Sequence, residues 1–300
     1  MKILLSQSYS FCQKGRRDYQ EDARWPDADV PLDSQRFFIV CDGVGGSKKG
    51  DVASKAVCYS LAKSMESIDL SEELSVSAFS EAFDEAYNHL DEISDDTNRE
   101  MATTMVMVCF HSGGCSMIHI GDSRIYQFRK GEGIIYKSED HSLVNKLVRE
   151  GKLSPQEAEN HPQGNVITRF MSPIEDDEER WEATFVSTSD IEPNDIFVLC
   201  TDGVTNCLTE NHLSEILSSD IPYEDMVTLL SMECLNSTDN NTLILIPVKA
   251  VLLDTIALNE TTGNSTQRLS RKPFTSIEVE SEKKIENKGV FQLIKKWFNN

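Results

Sequence analysis

Hydrophobic positions along the chain fall into short unbroken runs and longer periodic stretches, and the two kinds predict different elements. Phe37 to Cys41 is continuously apolar and ends in Asp42-Gly43, the pattern of a buried strand closed by a tight turn. From Val52 onward, Val57, Leu61, Met65 and Ile68 recur at helical spacing, and a second series runs Leu74, Ala78, Ala82, Ala86, Leu90 and Ile93. Two amphipathic helices are expected there. Met105 to Phe110 and Cys115 to Ile120, on either side of Ser112-Gly113-Gly114, predict a hairpin. Ile125 to Phe128 and Ile134 to Tyr136 predict another around Gly131-Glu132-Gly133. Short helices are expected over Leu143 to Val148 and Ser154 to Glu159, the second with Ser154 as N-cap and Pro155 at its start. Strands at Thr184 to Val186, Ile196 to Cys200 and Thr242 to Val248, and helices at His212 to Leu217 and Tyr223 to Leu235, complete the series. Strands joined by antiparallel turns and helices that come in pairs favour α+β layers over a βαβ alternation.

Periodicity is lost beyond about Ala250, which divides the chain into a domain over 1–250, a polar linker over 251–286 and a terminal segment over 287–300. In that segment Val290, Phe291, Ile294, Trp297 and Phe298 share one helical face, with Lys288, Lys295 and Lys296 nearby. Docking on its own domain, a frayed end, contact with a membrane surface and a partner groove are the readings of such a face.

Composition narrows the function classes. A formal net charge of -21 repels a polyphosphate backbone and excludes nucleic acid as a partner. Eight cysteines without a C-x-x-C pair, several of them inside apolar runs, read as reduced, buried thiols of a cytoplasmic protein. Ile3 to Leu5 is too short for a signal-peptide core, and no run of about 18 apolar residues is present to span a membrane.

The candidate chemistry lies in the acids. Three apolar strands end in an aspartate beside a glycine, at Asp42-Gly43, Gly121-Asp122 and Asp202-Gly203, and Asp239 stands just before a fourth strand. Each Asp-Gly taken alone is first a turn signal. Strands that share a sheet can bring such acids to one rim, where unpaired carboxylates would repel unless cations neutralised them. An oxygen-only donor set with no histidine at ligand spacing suits Mg²⁺ or Mn²⁺ rather than zinc. Two such ions about 4 Å apart could share an aspartate and lower the pKa of a bridging water, which makes phosphate-ester hydrolysis the natural chemistry. Arg17 offers a guanidinium fork for two phosphate oxygens, with a surface ion pair to Glu21 as its plainer reading. Glu21 and Asp22 could hold waters on such ions. The Gly43-Val44-Gly45-Gly46 run is not a nucleotide loop, because Lys48 replaces the last glycine and no G-K-[ST] follows.

Seven strings occur in order over roughly residues 8–248: RRDYQEDA, FFIVCDGVGG with a following GDVAS, ATTMVMV, IHIGDSRIYQF, DHSLVNKLVREGKLSPQEA, VLCTDGV and STDNNTLILI. With them the chain resembles the protein phosphatase 2C, or PPM, family of metal-dependent serine/threonine phosphatases in its bacterial branch. The resemblance implies a four-layer αββα sandwich, two antiparallel sheets flanked by helices. It implies hydrolysis of phosphoserine and phosphothreonine monoesters on proteins, the substrates being products of a serine/threonine kinase. Asp42 would bridge two metals, the Gly43 carbonyl would bind one of them, and Asp202 and Asp239 would complete the other. Glu21 and Asp22 would act through waters, Arg17 would grip the phosphate, and Asp122 resembles the ligand of a third, weaker metal. Arg17, Asp42 and Asp202 are thus the expected catalytic residues. The alternative is a pseudophosphatase that binds phosphoproteins or regulators without turnover.

The sequence departs from the family at Val44, where eukaryotic members carry a histidine able to protonate the leaving alkoxide. It departs again at Ala102, where glycine is usual, and at Phe170-Met171. His141 is expected to be structural, and residues from about Leu143 to Met171 match the family's flap beside the active site.

Overall fold

The computed structural model describes residues 1–29, 35–44, 49–95, 100–159, 161–174, 179–252 and 275–277. Strands β1 (Lys2–Leu5), β2 (Tyr9–Gln13), β3 (Asp22–Trp25) and β4 (Phe37–Asp42) lead into helices α1 (Gly50–Met65) and α2 (Val76–Ile93). Two hairpins follow, β5 (Met105–His111) with β6 (Gly114–Ile120), and β7 (Arg124–Arg129) with β8 (Gly133–Lys137). Helices α3 (Leu143–Arg149) and α4 (Pro155–Glu159) precede β9 (Thr184–Thr188) and β10 (Ile196–Cys200). Helices α5 (Asp202–Thr205), α6 (Glu210–Ser218) and α7 (Tyr223–Cys234), then β11 (Asn241–Leu252) and β12 (Thr275–Ile277), complete the described elements.

All described pairings are antiparallel, in two sheets. One runs β1-β11-β10-β7-β8, with β2 also on β11, and the other runs β12-β9-β6-β5-β4-β3. The expected αββα sandwich follows from how side chains alternate along the strands. In β4, Phe37, Ile39 and Cys41 face α1 and α2, while Phe38 and Val40 face the other sheet. In β10, Phe197 and Leu199 meet them from that sheet, while Ile196, Val198 and Cys200 pack under α5 to α7. Both faces of the central strands are buried, which is why their sequences read as unbroken apolar runs. Across the middle layer Phe110 of β5 meets Phe197 of β10 edge-on, with ring centroids 5.1 Å apart.

The predicted elements are present, with shifted ends. Ser75 caps α2 by accepting from the Ala78 amide, so Leu74 sits before the helix rather than in it. Ser154 and Glu157 form a reciprocal capping box on α4. Of the cysteines, Cys41, Cys58, Cys109, Cys115, Cys200 and Cys234 are buried, whereas Cys12 and Cys207 are exposed, which corrects the expectation for those two. In the stretch read as a linker, β11 continues to Leu252 and β12 pairs with β9. The terminal segment 287–300 lies outside the described residues.

Candidate metal centre

The same alternation places the acids. Asp42 ends β4 on the face of Phe38 and Val40, toward the opposite sheet, and Asp22 of β3 stands directly across from it. From the other sheet, Thr201 and Thr242 prolong the inward faces of β10 and β11 at the same end. Both hydroxyls donate to Asp22 Oδ2, at 3.2 and 2.7 Å. Asp22 is 3% exposed, and its Oδ1 has no hydrogen-bond partner. Asp202, at the start of α5, lies beside the Asp42 carboxyl. Asp239, just before β11, accepts from Arg17 Nη2 at 2.6 Å. Arg17 therefore pairs with Asp239, not with Glu21 as its plainer reading had it.

The backbone of Asp42 is held by the two threonines after Ala102. Its N–H donates to Thr104 Oγ1 (3.2 Å), and its carbonyl accepts from Thr104 N–H (2.8 Å) and Thr103 Oγ1 (2.9 Å). Gly43 N–H donates to the Glu21 carbonyl at 3.1 Å, and Gly50, at the start of α1, lies against the Glu21 carboxylate. Gly203 is required by close approach: a Cβ there would lie 1.9 Å from the Asn240 carbonyl oxygen. Asp122 follows Gly121 beyond β6.

Burial, and then the crowding of like charge, shapes the electrostatics. Burial, then Asp22, Asp202, Asp122 and Asp239, push the Asp42 carboxyl well above the ordinary range. Asp22 is pushed up to about 7, chiefly by burial and against the two threonine hydroxyls. Asp202 rises through burial and then Asp239, and Asp122 rises well above its usual value through burial, Asp202 and Asp140. Glu21 rises through burial, with Arg17 acting against it.

Among the described residues, no three His, Cys, Asp or Glu side chains already stand close enough to hold an ion by themselves. The carboxylates line a common rim rather than a closed cage. Three observations fit hard divalent cations there. The donors are all oxygen, Asp22 Oδ1 is buried without a partner, and burial together with neighbouring acids raises the pKa values of Asp22, Asp42 and Asp202, a cost that a cation would remove.

Three of the departures from the family pattern meet. Val44, Ala102 and Phe170 form one buried cluster with Ile167 against it, and Thr103 and Met171 exchange backbone hydrogen bonds of 2.9 and 2.8 Å. Apolar side chains thus pin the end of the flap beside Gly43. His141 has structural partners: Nδ1 accepts from Gly121 N–H, Nε2 pairs with Thr184 Oγ1, and the ring stacks on His119. Burial holds its pKa far below the usual imidazole range. Sequence reasoning missed Thr201, Thr242 and Asn240, although continuing the two-residue alternation of β10 and β11 would have put both threonines on the acid face.

Comparison with known proteins agrees with this fold. The protein PhpP of Streptococcus pneumoniae is 32% identical over 198 residues, 65% of this chain and 77% of its own. The solved structure of Stp1 from Staphylococcus aureus, a serine/threonine phosphatase, superposes with TM-score 0.70 at 28% identity, covering 83% of this chain and 98% of its own. The catalytic domain of PstP, solved in complex with 2 manganese ions, gives 0.65 at 25% identity over 83% of this chain and 100% of its own. The sequence profile of protein phosphatase 2C matches residues 15–244, and the chain belongs to that family.

Proposed function

We propose that this protein is a metal-dependent phosphatase that hydrolyses phosphoserine and phosphothreonine monoesters on proteins, with Mg²⁺ or Mn²⁺ held at the sandwich rim. The observation that carries this reading is the meeting of Asp22, Asp42, Asp202 and Asp239, drawn from both sheets, under the guanidinium of Arg17. Asp42, the Gly43 carbonyl, Asp202 and Asp239 would hold two cations directly, Glu21 and Asp22 through waters, and Asp122 a third, weaker one. When bound, the cations supply Lewis acidity and a water of lowered pKa.

The chain's own groups do the rest. Arg17 presents a planar fork of donors whose side chain is 41% exposed, so a phosphate on a protein surface can reach it from solvent. Its hydrogen bond to Asp239 aims the fork over the acids. Val44 lies buried beside Gly43, so no side chain at that position can hand a proton to the leaving serine or threonine oxygen. Among the described residues no helix is long and apolar enough to cross a membrane.

Purified protein is expected to hydrolyse p-nitrophenyl phosphate and a phosphothreonine peptide with Mn²⁺ and to stop on addition of chelator. Retained phosphopeptide binding without turnover would instead identify the pseudophosphatase, which no feature of the rim favours.

The raised carboxyl pKa values also give a pH dependence. Asp22 at about 7 when folded stands well above the unfolded value of about 3.9. Its ionisation therefore costs stability, a cost that grows as pH rises from about 4 through 7 and that a bound cation relieves. Mn²⁺ should raise the melting temperature more at pH 8 than at pH 5.5 in scanning fluorimetry. Equal shifts at both pH values would contradict cation binding to these acids.

A further inference from the structure

Asn240 is 3% exposed and uses its whole side-chain amide. Its Oδ1 accepts from the Glu21 N–H at 2.8 Å, and its Nδ2 donates to the carbonyls of Lys14 at 2.8 Å and Tyr19 at 2.9 Å. Its own backbone N–H donates to Asp239 Oδ1 at 2.8 Å. The residues it reaches bound the connection between β2 and β3, and Arg17 lies in the middle of that connection. Arg16, Arg17, Asp18 and Tyr19 are all exposed, so the loop has no apolar anchor of its own and depends on polar pins. A further pin comes from the same neighbourhood, where the Arg16 N–H donates to the Ser237 carbonyl at 2.9 Å. Gly15, at φ +59°, lets the loop lie flat on this segment, since a Cβ would come 2.2 Å from the Asp239 carbonyl oxygen.

We propose that Asn240 is a positioning residue for phosphate binding: it fastens the Arg17 loop to the start of β11, so that the guanidinium stands at a fixed height over the acids. The proposal rests on the reading above that Arg17 grips the phosphate. Only an amide supplies what the position asks, one acceptor for an N–H and two donors for two carbonyls. Aspartate has the shape but no donors, and alanine leaves three backbone groups unpaired. Because an unmade buried hydrogen bond costs about 1–3 kcal/mol and about 1.4 kcal/mol is tenfold, losing the pins should weaken phosphate binding by roughly tenfold or more.

The test compares Asn240→Ala, the near-isosteric Asn240→Asp, Arg17→Ala and the double variant Arg17→Ala/Asn240→Ala. Inorganic phosphate binding to the Mn²⁺-loaded protein is measured by calorimetry, Mn²⁺ binding separately, and amide exchange of Arg16 and Glu21 in protein without metal. Asn240→Ala and Asn240→Asp should weaken phosphate by about tenfold, leave Mn²⁺ affinity within about twofold and speed exchange at both amides. In the Arg17→Ala background the second change should weaken phosphate no further, because Asn240 acts through Arg17. Additive losses in the double variant, unchanged amide exchange, or a fall in Mn²⁺ affinity equal to that in phosphate would overturn the proposal. The two readings fail differently. Should Arg17→Ala leave phosphate affinity intact, the role given to Arg17 falls and the proposal with it. Should Arg17→Ala weaken phosphate while both Asn240 variants do not, only the proposal falls. If Asn240→Ala does not fold, Asn240→Asp carries every arm except the double variant, which is then made with it.

Discussion

Asp42→Asn is expected to cut Mn²⁺-dependent turnover by about 10³-fold or more while raising the melting temperature of the protein without metal. The first effect follows from chemistry: charge stabilisation by a bound cation is worth several kcal/mol, and each 1.36 kcal/mol is tenfold in rate. The second follows from burial and crowding. Asp42 is desolvated by burial and pressed by Asp22, Asp202, Asp122 and Asp239, so its ionised form is a burden on the folded chain that asparagine does not carry. The amide can also donate a hydrogen bond to the neighbouring Asp202 carboxylate, which an ionised Asp42 cannot. Each kcal/mol relieved should appear as roughly 2–4 °C in a domain of this size. Steady-state assays on p-nitrophenyl phosphate with thermal melts in chelator measure both. Lost activity with a lower melting point would mean that Asp42 is a structural acid and that the repulsion described at the rim is not real.

Gly203→Ala should be nearly as damaging for a different reason. The added Cβ would stand 1.9 Å from the Asn240 carbonyl oxygen, a backbone atom, so no flexible side chain can give way. Either α5 or the segment leading into β11 must move, and these carry Asp202 and Asp239. A displacement near 1 Å at a reacting centre can cost about 10²-fold, so kcat/KM should fall by at least that much and the Mn²⁺ concentration for half-maximal activity should rise. A folded variant with wild-type kinetics would show that the two acids need no fixed spacing.

What could be read from the sequence, and what could not, divides along physical lines. Central strands such as β4, β5 and β10 are buried on both faces, so their composition alone marks them. Strand β3 escaped notice because Asp22-Ala23-Arg24-Trp25 ends its sheet with an acid on the functional face, and β1 because four residues carry too little pattern. The Asp-Gly pairs signalled the rim, yet the reason for the glycine at 203 is a close passage of two backbones, which no local pattern encodes. Asn240 and the two threonines act on residues that are about 180 to 220 positions away in sequence, and only the folded register brings those partners together. The departures at Val44, Ala102 and Phe170 looked unrelated in sequence and prove to be one contact.

The clasp of Thr201 and Thr242 on Asp22 ties one sheet to the other at the rim. The gap between the sheets is set elsewhere, by side chains such as Phe110 and Phe197 meeting edge-on in the middle layer. Catalysis in this protein is therefore a gauge of core thickness: a repacking deep in the sandwich that the fold tolerates would still slide the halves of the rim apart, and such variants should lose turnover well before they lose shape.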